Sequence, residues 1–105
     1  MATETLAGTE VQVDDEGFFV DPTAWTEDMA KELASHVGVD ELTEDHWTVI
    51  KFCRSDFDAK GESPTLRRVS TEAGVPTKQL FQLFPKKPAK KMSYVAGVPK
   101  PKGCV

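Results

Sequence analysis

Apolar and polar positions divide this chain into short segments with clear ends. Residues 1–9 are small and polar and read as a disordered leader. EVQVDDEGFFV then alternates around a turn rich in Asp and Gly. That pattern predicts a β-hairpin with Val11 and Val13 on one arm and Phe18 and Val20 on the other. Asp21-Pro22 breaks it. Thr26 is placed to cap a helix with Glu27 and Asp28 in its first turn. Its apolar stripe is Met29, Ala30, Leu33, Ala34 and Val37, and Gly38 stops it. A second start lies at Thr43, followed by Glu44 and Asp45. Trp47, Ile50, Cys53 (or Arg54) and Phe57 recur at helical spacing, and Gly61 ends that segment.

Ser63-Pro64 reads as a cap followed by proline at the first helical position, opening a short helix to about Glu72. Gly74 turns the chain, and Pro76-Thr77 starts a helix through Leu80, Phe81 and Phe84 that Pro85 ends. Pro88 opens a last helix, PAKKMSYVA, stopped by Gly97. The fold expected is mostly α: a small orthogonal helical bundle of five short helices behind one N-terminal β-hairpin, forming a single domain over 1–105. Residues 97–105 are expected as a flexible C-terminal arm, with freedom at Gly97 and Gly103 and stiffness at Pro99 and Pro101.

Composition narrows the setting. A length of 105 residues suits one modest core, with Trp25 and Trp47 as anchors. No apolar run is long enough to span a membrane, and the start lacks the basic-then-apolar order of a signal peptide. Two cysteines are too few for a disulfide framework, so a reducing, cytoplasmic setting is expected. His36 and His46 have no cysteine neighbours at a ligand spacing, so neither a metal nor a cofactor is expected. Charge is divided unevenly: residues 1–62 carry a formal balance of −12, residues 63–105 one of +8. The basic half suits phosphate or an acidic protein partner, and equally a solvated surface without one.

Two groups of residues carry candidate chemistry. In LRRVSTEAGVPTKQLFQLF, residues 66–84, Val69, Ser70, Ala73, Gly74, Val75, Leu80 and Leu83 have helix-turn-helix spacing. A DNA reader of that kind would offer Thr77, Lys78, Gln79 and Gln82 to base edges and Arg67 and Arg68 to phosphates. The acidic first half opposes a duplex, so DNA is the less favoured partner. The second group is the tail AGVPKPKGCV. Cys104, next to last, has no use as a core residue, whereas a thiol at the tip of an arm can enter another protein's pocket. The bland alternative is an incidental surface cysteine. The thiolate is the reactive form, and Lys100 and Lys102 favour it while the terminal carboxylate opposes it. Cys53, on an apolar stripe, reads as an inert core residue.

These stretches resemble the DsrC/TusE family from about Val13 to the end: VDDEGFFVDPTAW, ELTEDHWTVIKFCR, SPTLR, LFP at 83–85, PAK at 88–90 and the closing AGVPKPKGCV. The resemblance implies a helical bundle with a helix-turn-helix and a C-terminal arm whose penultimate cysteine, here Cys104, bears sulfur as a persulfide. It implies a protein donor similar to TusBCD or DsrEFH complexes, and as acceptor a tRNA-thiolating enzyme or a sulfite-reductase-type complex. Members with two tail cysteines carry the second at the position of Ser93, which implies a single-thiol, TusE-like role here. A stretch between Gly74 and Lys78 shorter than in TusE bears on partner choice. Arg67, Lys90, Lys100 and Lys102 are the candidate partner-binding residues. Three classes stay open: sulfur carrier, helix-turn-helix DNA-binding regulator, and non-catalytic subunit of a redox complex.

Overall fold

The first strand begins where a leader was expected. The computed structural model describes residues 2–101, and within it β1 (Ala2–Leu6) pairs antiparallel with β2 (Thr9–Val13), Ala2 opposite Val13 and Leu6 opposite Thr9. The two-residue turn is Ala7-Gly8, with φ of 49° and 81°. Two left-handed residues match the twist of a tight hairpin. The Ala7 amide donates to Glu32 Oε2 at 2.9 Å, tying the turn to the first helix. Residues 2–8 are therefore a strand and its turn, and Thr9 opens the second strand. The hairpin expected between Val13 and Phe18 shrinks to a single bridge, Val13 to Phe19, leaving Val20 exposed.

A 3-10 turn over Pro22–Ala24 leads to α1 (Glu27–His36), α2 (Glu44–Lys60), α3 (Leu66–Glu72), α4 (Thr77–Leu83) and α5 (Pro88–Ala96). Thr26 and Thr43 cap α1 and α2 as expected, and Gly61 and Gly97 end α2 and α5 in the left-handed conformation. The start of α3 is displaced: Thr65 is the cap and accepts from the Arg68 amide. Ser63 does not cap because its hydroxyl donates to the Pro99 carbonyl.

The buried face of α2 is His46, Val49, Ile50, Cys53 and Asp56; Ile50 and Cys53 were expected there, whereas Trp47 and Phe57 are half-buried beside it. Two polar side chains make that face possible. His46 Nδ1 lies 3.0 Å from the Thr43 amide and Nε2 2.8 Å from the Leu83 carbonyl. An amide only donates and a carbonyl only accepts, so the ring proton sits on Nε2. Asp56 takes a forked pair from Arg68, 2.8 to 3.0 Å, which joins α2 to α3 and holds the carboxyl below its usual range.

The main core lies between α2 and α5 and includes Ile50, Val69, Leu80, Phe84, Met92 and Val95. A second cluster puts Leu6, Val11, Val13 and Phe19 of the hairpin region against Met29 and Leu33 of α1. Burying a side chain of this size contributes about 1.5–3 kcal/mol, so the hairpin is a structural part of the fold.

Candidate functional site: the root of the C-terminal arm

The arm leaves the body where α5 ends, and three parts of the chain meet there. Trp25 follows the 3-10 turn, which is held by the Asp21 carboxylate accepting from the Thr23 amide at 3.0 Å. Its indole donates to the Val95 carbonyl at 3.0 Å. Arg54, from α2, lies over that indole at 4.2 Å and donates to the Ala96 carbonyl and the Pro22 carbonyl, each at 2.9 Å. The last carbonyls of a helix lack partners within it, and a cation suits that end of the dipole. Arg54 and Trp25 together supply both needs. Burial pulls the Arg54 pKa down, opposed by Asp58.

Gly97 allows this approach. Its φ is 69°, and a Cβ built there would lie 2.1 Å from Trp25 Cδ1. Beyond it the chain stays seated. Val98 is buried, and its amide donates to the Ser93 carbonyl at 3.2 Å. Pro99 accepts from Ser63, and Pro101 is buried. Lys100 Nζ lies 2.6 Å from Glu16 Oε2, and Lys90 Nζ 2.8 Å from Glu16 Oε1. The hydrogen bonds from Lys100 and then Lys90 hold the Glu16 carboxyl at about 2. The expectation of a flexible arm from residue 97 is thus corrected for 97–101: Val98 has an apolar seat, and two side chains from the body hold the backbone and the charge.

The candidate residues are distributed unevenly. Lys90 and Lys100 meet on one carboxylate. Arg67 lies elsewhere, exposed in a shallow depression with Thr65, Arg68, Thr71 and Glu72. Cys104 and Lys102 lie outside the described residues. Cys53 is fully buried, and desolvation, aided by Asp56, pushes its thiol far above the usual range. Ser93 is also fully buried, with no hydrogen-bond partner for its hydroxyl. Of the side chains expected to read DNA, Gln79 donates to Asp45 at 2.7 Å and Arg68 is held by Asp56, whereas Thr77, Lys78 and Gln82 are exposed.

Sequence reasoning missed Trp25, Ser63 and Glu16 as parts of the root and named Arg54 only as an alternative on the α2 stripe. Their partners lie 36 to 84 residues away in sequence, except for Arg54 to Pro22 at 32. One signal was available: an arginine beside the apolar stripe of a helix needs acceptors. Among the described residues no group of three or more His, Cys, Asp or Glu could hold a metal, and no helix is long and apolar enough to cross a membrane.

Comparison with known proteins places this geometry in context. The family model for DsrC like protein matches residues 5–105. Sulfurtransferase TusE of Pectobacterium atrosepticum is 37% identical over 106 residues, covering 93% of this chain and 95% of that protein. The gamma subunit of the dissimilatory-type sulfite reductase of Nitratidesulfovibrio vulgaris is 31% identical over 105 residues, covering all of both. Among solved structures, a chain in the crystal structure of dissimilatory sulfite reductase I superposes with a TM-score of 0.87 at 32% identity, covering 99% of this chain and 100% of that one. The NMR structure of Allochromatium vinosum DsrC gives 0.81 at 34% identity, covering 98% and 97%.

Proposed function

The chain belongs to the DsrC-like family, and on that premise we propose that it relays sulfur as a persulfide on Cys104. The observation that carries this reading is the state of the other thiol. The chain has two cysteines, and Cys53 is sealed in the core with its thiolate disfavoured. Sulfur exchange requires an accessible thiolate, which leaves Cys104.

The reaction needs no base in this chain. The Cys104 thiolate attacks the outer sulfur of a donor persulfide. The new S–S bond forms as the donor's S–S bond breaks, and the donor leaves as its thiolate. Cys104 then carries the persulfide. An acceptor thiolate attacks the outer sulfur in turn and releases Cys104 as thiolate, so no net oxidation occurs. The donor is a protein persulfide of the TusBCD or DsrEFH type. The acceptor is a tRNA-thiolating enzyme or a sulfite-reductase-type complex. Arg67, Lys90, Lys100 and Lys102 serve docking, with Lys90 and Lys100 passing from Glu16 to acidic groups of the partner. Serine at position 93 precludes an internal pair of tail cysteines, so mild oxidation yields a dimer linked through Cys104.

The test is intact-mass analysis after exposure to a persulfide donor. Wild type gains the mass of one sulfur atom, and Cys104→Ser gains none. Sulfur retained on Cys53 in that variant would refute the assignment.

A further inference from the structure

A groove of about 310 Å³ opens beside the arm root. Lys87, Lys90 and Lys91 line it with His36, Tyr94 and Glu16. Lys90 Nζ is paired with Glu16, the one lining carboxylate, which also takes Lys100 from outside the groove; Lys91 Nζ donates to the Pro85 carbonyl at 2.5 Å, and Lys87 completes the basic lining. The Tyr94 hydroxyl lies 3.0 Å from His36 Nδ1, which places a phenol and an imidazole side by side in the wall. Glu4 is near enough to Tyr94 to raise its pKa, after burial.

Folding does not favour this concentration of charge. Lys86 and Lys87 precede α5, and Lys90 and Lys91 fall in its first turn, with no acidic residue there and no side-chain cap. Cations at that end oppose the helix dipole and one another. The backbone adds to the cost. Lys86 and Lys87 have φ of 58° and 39°, a conformation that glycine or asparagine adopts more cheaply. Lys87 also precedes Pro88, and a residue before proline is normally forced into the extended region. A strained lysine is thus held in the lining of a groove already rich in positive charge. Such strain persists where the surroundings over-determine it and is often tied to function.

We propose that this groove binds a small dianionic oxyanion, of the sulfate, thiosulfate or phosphate class, between Lys87, Lys91 and the Tyr94–His36 pair. A water's share of liquid volume is about 30 Å³, so the groove has room for such an ion with several waters. Lys91 reaches the ion by turning from the Pro85 carbonyl, and Lys90 assists by moving from Glu16. The site does not depend on Cys104 or on the persulfide reading, and a Cys104→Ser chain binds the anion equally well.

The test is an NMR titration of the full chain with sodium sulfate, thiosulfate and phosphate, each against sodium chloride at matched ionic strength. The expected result is saturable shifts centred on Lys87, Lys90, Lys91, Tyr94 and the His36 ring, absent with chloride. Relative affinities of the three anions identify the source: preference for thiosulfate marks a sulfur oxyanion, preference for phosphate a phosphate ester. Lys91→Ala weakens binding at least tenfold. Lys87→Gly is the decisive variant, because it removes the ammonium and relieves the backbone. It raises the urea midpoint while weakening the anion at least tenfold, whereas Lys78→Ala leaves binding unchanged. Shifts reproduced by chloride, shifts spread equally over Lys78 and Arg67, or unchanged affinity in Lys87→Gly would each overturn the proposal. So would saturation only by an acidic peptide or an oligonucleotide.

Discussion

Replacing Gly97 with alanine tests how the arm is mounted. Two costs combine. A left-handed conformation costs a non-glycine residue about 1–2 kcal/mol, and φ here is 69°. The new Cβ would also sit 2.1 Å from Trp25 Cδ1 and 2.5 Å from Trp25 Cγ, so the indole must move. Overpacking of this kind costs about 1–3 kcal/mol, and part of it is the lost bond from the indole to the Val95 carbonyl. The sum is about 2–5 kcal/mol. Gly38 supplies the control: its φ is 82°, with nothing within 4 Å of an added methyl, so Gly38→Ala carries only the backbone cost. The difference between the variants isolates the packing against Trp25, about 2 kcal/mol. Urea unfolding followed by tryptophan fluorescence and circular dichroism measures both. At about 4–8 °C per kcal/mol for a domain of this size, Gly97→Ala should melt at least about 8 °C below wild type. Equal destabilisation of the two variants would refute the account of the mount.

Arg54→Lys should destabilise by about 1–2 kcal/mol, because an ammonium cannot reproduce the fork to the Ala96 and Pro22 carbonyls; denaturant midpoints check this. Asp56 is held below its usual pKa by Arg68, so its contribution to stability is present above the unfolded carboxylate value of about 4 and is lost as pH falls through the native value. Asp56→Asn should therefore lower the urea midpoint at neutral pH and flatten its decline toward acid; a variant with the wild-type acid slope would count against the pair. In Cys104→Ser, Cys53 should resist a thiol reagent until the chain is unfolded, and labelling at the rate of an exposed thiol would contradict its burial.

Local signals were legible in the sequence where a single residue type decides the outcome. Thr26, Thr43, Gly61 and Gly97 cap or stop helices through their own side chain or lack of one, and the structure places them so. The strand at 2–6 was not legible, because Ala-Gly lacks the usual hairpin-turn signal and Leu6 is the single large apolar residue between Met1 and Val11. The cap at Ser63 failed for a tertiary reason: its hydroxyl is engaged by Pro99. On α2, Ile50 and Cys53 are buried as expected, and only the ends of the stripe differ: His46 and Asp56 are buried with partners from the end of α4 and from α3, which no periodicity reveals. For the candidate site, the tail was conspicuous but its seat was not, since Glu16 and Lys100 are 84 residues apart.

If the arm delivers Cys104 as proposed, the seating of residues 97–101 divides its working range in two. With Pro101 held in place, only Lys102 and Gly103 lie between it and Cys104, three steps of chain that span at most about 11 Å at 3.3–3.6 Å per residue. A partner whose reactive atom lies near its own surface is served without disturbing the root. A deeper pocket requires the arm to be peeled back to Gly97, which extends the tether to about 24 Å. Peeling removes Val98 from its apolar seat and parts Lys100 from Glu16. Under the proposed relay, depth of the partner's pocket would thereby be converted into an energetic toll, and shallow and deep partners would be sorted before any sulfur moved.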